Sequence, residues 1–175
     1  SFQINKKLLF ITDTQGYVSK IFLKNDTRIN ILTPQNLDFM PLDLTVDWLN
    51  DNLYIIGEIK YEMQKYVIKR CDTEGNALIT VQSGLYVKPS SIQVDPINGY
   101  LFWTLQDHSK GGLYRMDIAD IDDPTKYYDK VKKIVNETDL GAFTFEYNNF
   151  NVLLSFQKQN TIKSVTLDGI LAGRW

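Results

Sequence analysis

The sequence is poor in the residue types from which most catalytic and redox sites are built. Its 175 residues include one cysteine, Cys71, and one histidine, His108. A lone cysteine cannot form a disulfide within the chain, so cysteine usage leaves the redox compartment open. A Ser-His-Asp site needs a nucleophile and an acid that converge on the histidine, and sequence neighbours such as Asp107 and Ser109 rarely do so. We therefore interpret His108 as a solvated loop residue and predict no catalytic residue and no cofactor.

Long apolar runs and a strong excess of one charge are also missing. No stretch approaches the roughly 20 apolar residues of a membrane helix, so we expect any membrane anchor to lie outside this segment and predict no direct membrane contact. The formal net charge of −2 provides no basic surface for nucleic acid, which we exclude as a partner. Hydrophobic residues make up 43% of the chain, enough for a globular core.

The densest acidic cluster lacks the pattern of a calcium loop. Asp117, Asp120, Asp122 and Asp123 lie close together, and carboxylate oxygens at such spacing can in principle hold Ca²⁺. An EF-hand loop beginning at Asp117 would need glycine at its sixth position and glutamate at its twelfth, where this chain has Asp122 and Tyr128. We interpret the cluster as a solvated loop between strands and predict no metal site, with a bound cation as the open alternative.

One motif recurs along the chain at intervals of roughly 40 to 50 residues, a period that is typical of repeat architectures. Its copies are 2–12, 44–56, 92–104 and 143–155. The last three begin with an apolar-x-apolar-acid pattern, have an asparagine three residues after the acid, and end in an apolar run. The residues concerned are Asp47 and Asn50, Asp95 and Asn98 with Gly99 and Trp103, and Glu146 and Asn149. We predict that they shape turns and pack the core.

Each copy continues into a second pair of strand-like runs. Alternating apolar residues over five to seven positions indicate short antiparallel strands, and Gly75 and Gly169 mark the predicted turns between third and fourth strands. Four-stranded units at this period are typical of β-propeller blades. We predict an all-β fold with fifteen strands in just under four blades, at residues 1–41, 42–89, 90–140 and 141–175. A sandwich of unrelated hairpins is the alternative.

The copy "VDPINGYLFWT" resembles the YWTD repeat of low-density-lipoprotein-receptor class B propellers. Propellers of that family close with six blades, so the resemblance implies a segment of a longer protein. The degenerate copies, with "VDWLNDNLY" and "GGLYRMDI", are most similar to the extracellular propellers of Sevenless/ROS-type receptor tyrosine kinases. This resemblance implies a single-pass receptor at the plasma membrane, with this segment outside and the kinase inside. The kinase motifs are absent from these 175 residues, so we expect no enzyme activity from the segment.

We therefore expect an extracellular recognition and spacer module of a receptor involved in cell-cell signalling. Its expected partner is a protein ligand or another domain of the same receptor. Two sequons, at Asn25 and Asn136, predict a glycoprotein, and Tyr127 and Tyr128 are candidate interface residues. For Cys71, burial and pairing with a cysteine elsewhere in the parent both stay open. The alternatives are a secreted propeller enzyme and an intracellular propeller scaffold.

Overall fold

A computed structural model describes residues 1–126 and 130–174 of the chain. Within these ranges, sixteen β-strands form four antiparallel sheets of four strands, and helix is limited to three 3₁₀ turns of three residues each. No helix in this part of the chain has the length and apolar character needed to cross a membrane. The predicted all-β fold, built of propeller-type blades, is confirmed. The chain divides into two compact units, residues 1–86 and 87–175, with two sheets in each.

The first unit contains two sheets in which strands adjacent in sequence are also adjacent in space. Its strands are β1 (Phe2–Gln3), β2 (Leu8–Thr12), β3 (Val18–Phe22), β4 (Thr27–Leu32), β5 (Phe39–Asp47), β6 (Asn52–Ile59), β7 (Tyr66–Asp72) and β8 (Ile79–Leu85). The sheets are β1–β4 and β5–β8. Phe10 of the first sheet and Phe39, Leu53 and Ile55 of the second belong to one buried core. Packing of the two sheets on each other explains why these strands are rich in large apolar residues.

The second unit repeats this arrangement. Its strands are β9 (Pro89–Asp95), β10 (Tyr100–Leu105), β11 (Gly112–Asp117), β12 (Val131–Val135), β13 (Leu140–Glu146), β14 (Asn151–Phe156), β15 (Thr161–Thr166) and β16 (Leu171–Arg174). The sheets are β9–β12 and β13–β16. The core contains Phe102 and Leu113 of one sheet together with Phe143, Leu154 and Phe156 of the other.

The strand β16 corrects the predicted count of fifteen. Its residues pair with β15 through Lys163 with Arg174, Ser164 with Gly173, and Val165 with Leu171. The turn before it contains Gly169 at φ 86°, in the left-handed region that glycine adopts readily. A strand of four residues is too short to show an alternating apolar pattern in the sequence. It forms here because the turn directs the chain back along β15, where backbone groups can pair.

Candidate functional site

The repeated acid and asparagine form the same hydrogen-bonded turn between the first and second strands of three sheets. The Asp47 Oδ1 atom accepts the backbone N–H groups of Leu49 at 3.1 Å and Asn50 at 2.9 Å, and the Asn50 side chain donates to Oδ2 at 2.8 Å. Asp95 and Glu146 accept the equivalent bonds in their own turns. Because these bonds engage both carboxylate oxygens, the three acids hold turns and are not arranged as paired general acids.

The other repeat residues also lie in packing and turn positions. Trp103 is fully buried, and its ring stacks on that of Tyr114 with centroids 6.0 Å apart and planes 9° from parallel. Gly99 has φ 73°, and its N–H donates to the Asp95 carbonyl at 2.9 Å. Trp48 lies in the Asp47 turn and is partly exposed.

An ion pair between neighbouring sheets recurs in both units and was missed by sequence reasoning. In the first unit the Lys20 ammonium binds the carboxylate of Glu74 in the β7–β8 turn. In the second, Arg115 Nη1 donates to Asp168 Oδ1 and to the Leu167 carbonyl, each at 2.7 Å. Lys20 and Arg115 occupy equivalent places on the third strands of their sheets. The sequence signal that could have predicted these pairs is the acid-Gly dipeptide after the third strand of the next repeat, Glu74-Gly75 or Asp168-Gly169.

Cys71 is buried in the core of the first unit, only 1% exposed. Burial, helped by the negative charge of Asp72, raises the pKa of its thiol to about 12. Of the two states left open by the sequence, the structure shows the buried thiol. Its sulfur has neither the exposure nor the thiolate character that a reactive cysteine requires.

The acidic loop holds itself together through local hydrogen bonds. Asp117 precedes the 3₁₀ turn Ile118–Asp120, and Asp123 Oδ1 accepts the N–H and the hydroxyl of Thr125 at 2.8 and 2.6 Å. Among residues 1–126 and 130–174, no group of three or more His, Cys, Asp or Glu side chains is placed to hold a metal ion. Tyr127 and Tyr128, the candidate interface residues, lie outside the described ranges.

Both sequon asparagines are exposed and hydrogen-bonded through the amide oxygen. Asn25 lies in the β3–β4 turn, and its Oδ1 accepts the N–H of Thr27 at 3.3 Å. Asn136 follows β12, and its Oδ1 accepts the Lys133 ammonium at 2.9 Å. Attachment of an N-glycan uses the amide nitrogen, which neither of these bonds engages.

The second unit has a cleft of about 290 Å³ at the end of the sheets where β10 leads into β11. Three chain segments line it, residues 106–108, 138–139 and 157–158. The side chains of Gln106 and Gln157 bridge two of these segments with a hydrogen bond of 3.1 Å. Asp139, only 8% exposed, accepts the Lys158 N–H through Oδ2 at 2.7 Å. The lining is therefore polar and fixed by hydrogen bonds between segments.

The charged residues that line the cleft are Asp107, Asp139 and Lys158, and both carboxylates accept hydrogen bonds from neighbouring groups. The Ser109 hydroxyl, with the N–H groups of Lys110 and Ser109, lowers the pKa of Asp107 to about 2. Asp107 is thus ionised at physiological pH. The Ser109 hydroxyl donates to Asp107 at 2.7 Å and not to His108, so these neighbours do not form a nucleophile and base pair. The arrangement suits recognition of hydrogen-bond donors. Sequence reasoning placed His108 on a loop and missed the cleft, because its other lining residues lie 30 and 50 positions away along the chain.

Comparison with curated proteins finds a partial match. No protein-family model matches the sequence. Protein cueball of Anopheles gambiae is 35% identical over 92 residues, which are 53% of this chain and 12% of that protein. This chain therefore spans only a small part of the relative's length.

Solved structures are similar over nearly the entire chain. A chain of the nidogen/laminin complex has a TM-score of 0.76 at 14% identity, with 99% of this chain and 61% of that chain covered. A Bacteroides thetaiotaomicron protein of unknown function scores 0.64 at 13% identity, with 96% and 40% covered. A proposed 6-phosphogluconolactonase of Bacteroides uniformis scores 0.58 at 16% identity, with 99% and 52% covered. The chain has a β-propeller fold. At these identities the likeness extends to fold alone.

Proposed function

We propose that this chain is an extracellular protein-recognition and spacer segment of a β-propeller. Its proposed parent is a receptor similar to the Sevenless/ROS-type tyrosine kinases, with the kinase in another part of the protein and no catalysis in this segment. The observation that carries the proposal is the preorganised polar cleft of the second unit. Its proposed occupant is a side chain with N–H donors, presented by a protein ligand or by another domain of the same receptor.

The cleft supports recognition because its groups are held before any partner arrives. Asp107 is fixed by Ser109 and Lys110, and Asp139 by the Lys158 N–H. Fixed acceptors lose little conformational entropy when a donor binds. The volume of about 290 Å³ lies at the small end of ligand sites, which favours one or two inserted side chains over a large cofactor.

One of the similar solved structures supports the proposal of protein recognition. The nidogen structure, a complex with laminin, is a case in which a similar chain is found together with another protein. Loops on a rigid sheet frame are a common location for binding residues. Sequons on exposed asparagines are compatible with a secreted surface.

The test uses the full-length protein, expressed through the secretory pathway of animal cells and measured against an array of purified extracellular proteins. The cleft variant Asp107→Asn, which removes the ionised carboxylate proposed to accept these donors, should weaken binding about tenfold or more. Lys132→Ala, an exposed change on β12, is the matched control and should bind like the wild type. Binders that tolerate the cleft variant would contradict the assignment of the cleft, and a protein retained in the cytosol would contradict the extracellular role.

A further inference from the structure

Each of the two carboxylates in the cleft has one oxygen held by the protein and one left open. Asp107 Oδ1 accepts the Ser109 N–H and hydroxyl, each at 2.7 Å, and the Lys110 N–H at 2.8 Å. Asp139 Oδ2 accepts the Lys158 N–H at 2.7 Å. In the part of the chain that the structure describes, no group donates to Asp107 Oδ2 or to Asp139 Oδ1. The cleft thus presents two fixed carboxylates with free acceptor oxygens.

The segments that carry these carboxylates lie directly against each other. The Gly111 N–H donates to the Asp107 carbonyl at 3.0 Å and closes the loop after β10. A Cβ atom on Gly111 would lie 2.4 Å from the Asp107 carbonyl oxygen and 2.8 Å from the Thr138 Cα atom, so this loop packs on the backbone beside Asp139. Because backbone groups hold both carboxylates, little ordering is needed when a ligand binds.

The charge of Asp139 is not compensated by a cation of the protein. This residue is 8% exposed, and within the described residues no ammonium or guanidinium forms an ion pair with it. A carboxylate so deeply placed is stabilised by a cationic partner. Lys158 also lines the cleft, but its side chain is exposed and its ammonium forms no ion pair with a described residue. Two carboxylates beside one solvated ammonium favour a cationic ligand.

A guanidinium group matches this arrangement better than other cations. It is planar and always charged, and its five N–H donors can reach acceptors on two different segments at once. An ammonium is more strongly hydrated, so it gains less on leaving water. In the described part of the chain no three His, Cys, Asp or Glu side chains are placed to hold a metal ion, so the cleft does not suit a metal.

We propose that the cleft binds an arginine side chain of a partner protein, whose guanidinium donates to Asp107 Oδ2 and Asp139 Oδ1. The inference rests on the proposed function, since it names the side chain that the cleft recognises. Hydrogen bonds from a guanidinium to carboxylates are roughly twice as strong as neutral ones. Lys158 has the same sign of charge as the ligand and opposes its binding.

The test titrates the full-length protein with N-acetyl-arginine amide and measures binding by ligand-observed NMR. The lysine and citrulline analogues are the comparison probes, because lysine keeps the charge without the planar donors and citrulline keeps planar N–H donors without the charge. We expect the arginine probe to have a Kd at least about fivefold lower than that of either analogue. Its binding should weaken with added salt.

Four variants locate the binding and test its sign. Asp107→Asn and Asp139→Asn should each raise the Kd of the arginine probe about fivefold or more, whereas Lys158→Met should lower it about twofold. Asp123→Asn is the matched control, because Asp123 Oδ1 accepts the N–H and hydroxyl of Thr125 outside the cleft, and it should leave the Kd unchanged. Each Asn variant keeps an oxygen for its backbone N–H groups, so the melting temperature should be preserved.

Equal binding of the citrulline or lysine analogue would overturn the proposal, and so would arginine binding that both cleft Asn variants leave unchanged. The two assignments of the cleft fail separately. An extracellular protein whose binding depends on Asp107 but on none of its own arginines would contradict arginine recognition and retain the proposed function. A preference for the arginine probe without any extracellular protein that binds the cleft would support arginine recognition and contradict the proposed function.

Discussion

At the scale of single residues, Cys71 shows how burial removes the chemistry of a reactive group. With the pKa of the thiol raised to about 12, the thiolate fraction at pH 8 is roughly one in ten thousand. We expect iodoacetamide to leave native Cys71 unmodified at this pH and to label it fully after unfolding in guanidinium chloride, as measured by intact mass. Labelling of the native protein at the rate of an exposed thiol would contradict the burial.

The same residue links stability to pH. The unfolded thiol ionises near its ordinary pKa of 9.0, whereas the folded thiol stays protonated until about pH 12. Since the raised pKa means that the folded state binds more protons in this window, stability should fall as the pH rises from about 9 to 12. The Cys71→Ala variant should lack this component of the pH dependence, which urea unfolding at several pH values would measure.

Substitution of two glycines with positive φ distinguishes the energetic cost of a left-handed backbone from the cost of a steric clash. A Cβ atom on Gly169 would lie 1.9 Å from the Ile134 carbonyl oxygen in the neighbouring sheet, whereas nothing lies within 4 Å of a Cβ on Gly99. Gly99→Ala should cost about 1 kcal/mol through the left-handed backbone alone. Gly169→Ala should cost about 3 kcal/mol because the turn must also move away from the next sheet. Equal losses in denaturant unfolding would show that the turn is free to shift.

At the scale of elements, the ion pairs between sheets should matter more than those within a loop. Lys20 is 7% exposed and Glu74 63%, so Glu74→Gln leaves a buried ammonium without its partner. We expect a loss of about 1 to 2 kcal/mol, reduced from a fully buried pair by solvent around Glu74. The control Glu62→Gln breaks the more exposed pair with Lys65 and should cost less than about 0.5 kcal/mol.

Urea midpoints of the full protein would distinguish these variants. Lys20→Met removes the buried charge together with its need for a partner, and it should therefore destabilise less than Glu74→Gln. A larger loss for Lys20→Met would mean that the lysine acts through its packed stem or its contact with Phe22.

The elements that sequence reasoning predicted are those specified by local pattern. The acid and asparagine of each turn are three residues apart, so their hydrogen bonds could be expected from spacing alone. The predicted turn at Gly75 is present, and this glycine has a positive φ of 87°. The strand Leu171–Arg174 was missed because its pairing is made by the backbone. The exposure of Tyr61 and Met63 in the hairpin between β6 and β7 was also missed, because a loop carries no periodicity from which exposure can be inferred.

At the scale of the whole molecule, the side-chain contacts between neighbouring repeats could not be predicted from this sequence. The cleft joins three segments that become neighbours only after two sheets have packed. Likewise, Lys20 and Glu74 lie 54 positions apart along the chain. The repeat predicts which sheets are neighbours but not which side chains meet, because that depends on the stagger and twist of the packed sheets.

The proposed extracellular location predicts glycans at both sequons of the intact protein. Asn25 and Asn136 are exposed, and their hydrogen bonds leave the amide nitrogen available. Protein secreted from animal cells should lose the mass of two glycans on treatment with peptide N-glycosidase, and Asn25→Gln or Asn136→Gln should each remove one. Thr27→Ala should abolish the first glycan and Thr27→Ser should retain it, because the hydroxyl completes the sequon. Secreted protein without glycan at either asparagine would remove this support and favour an intracellular propeller scaffold.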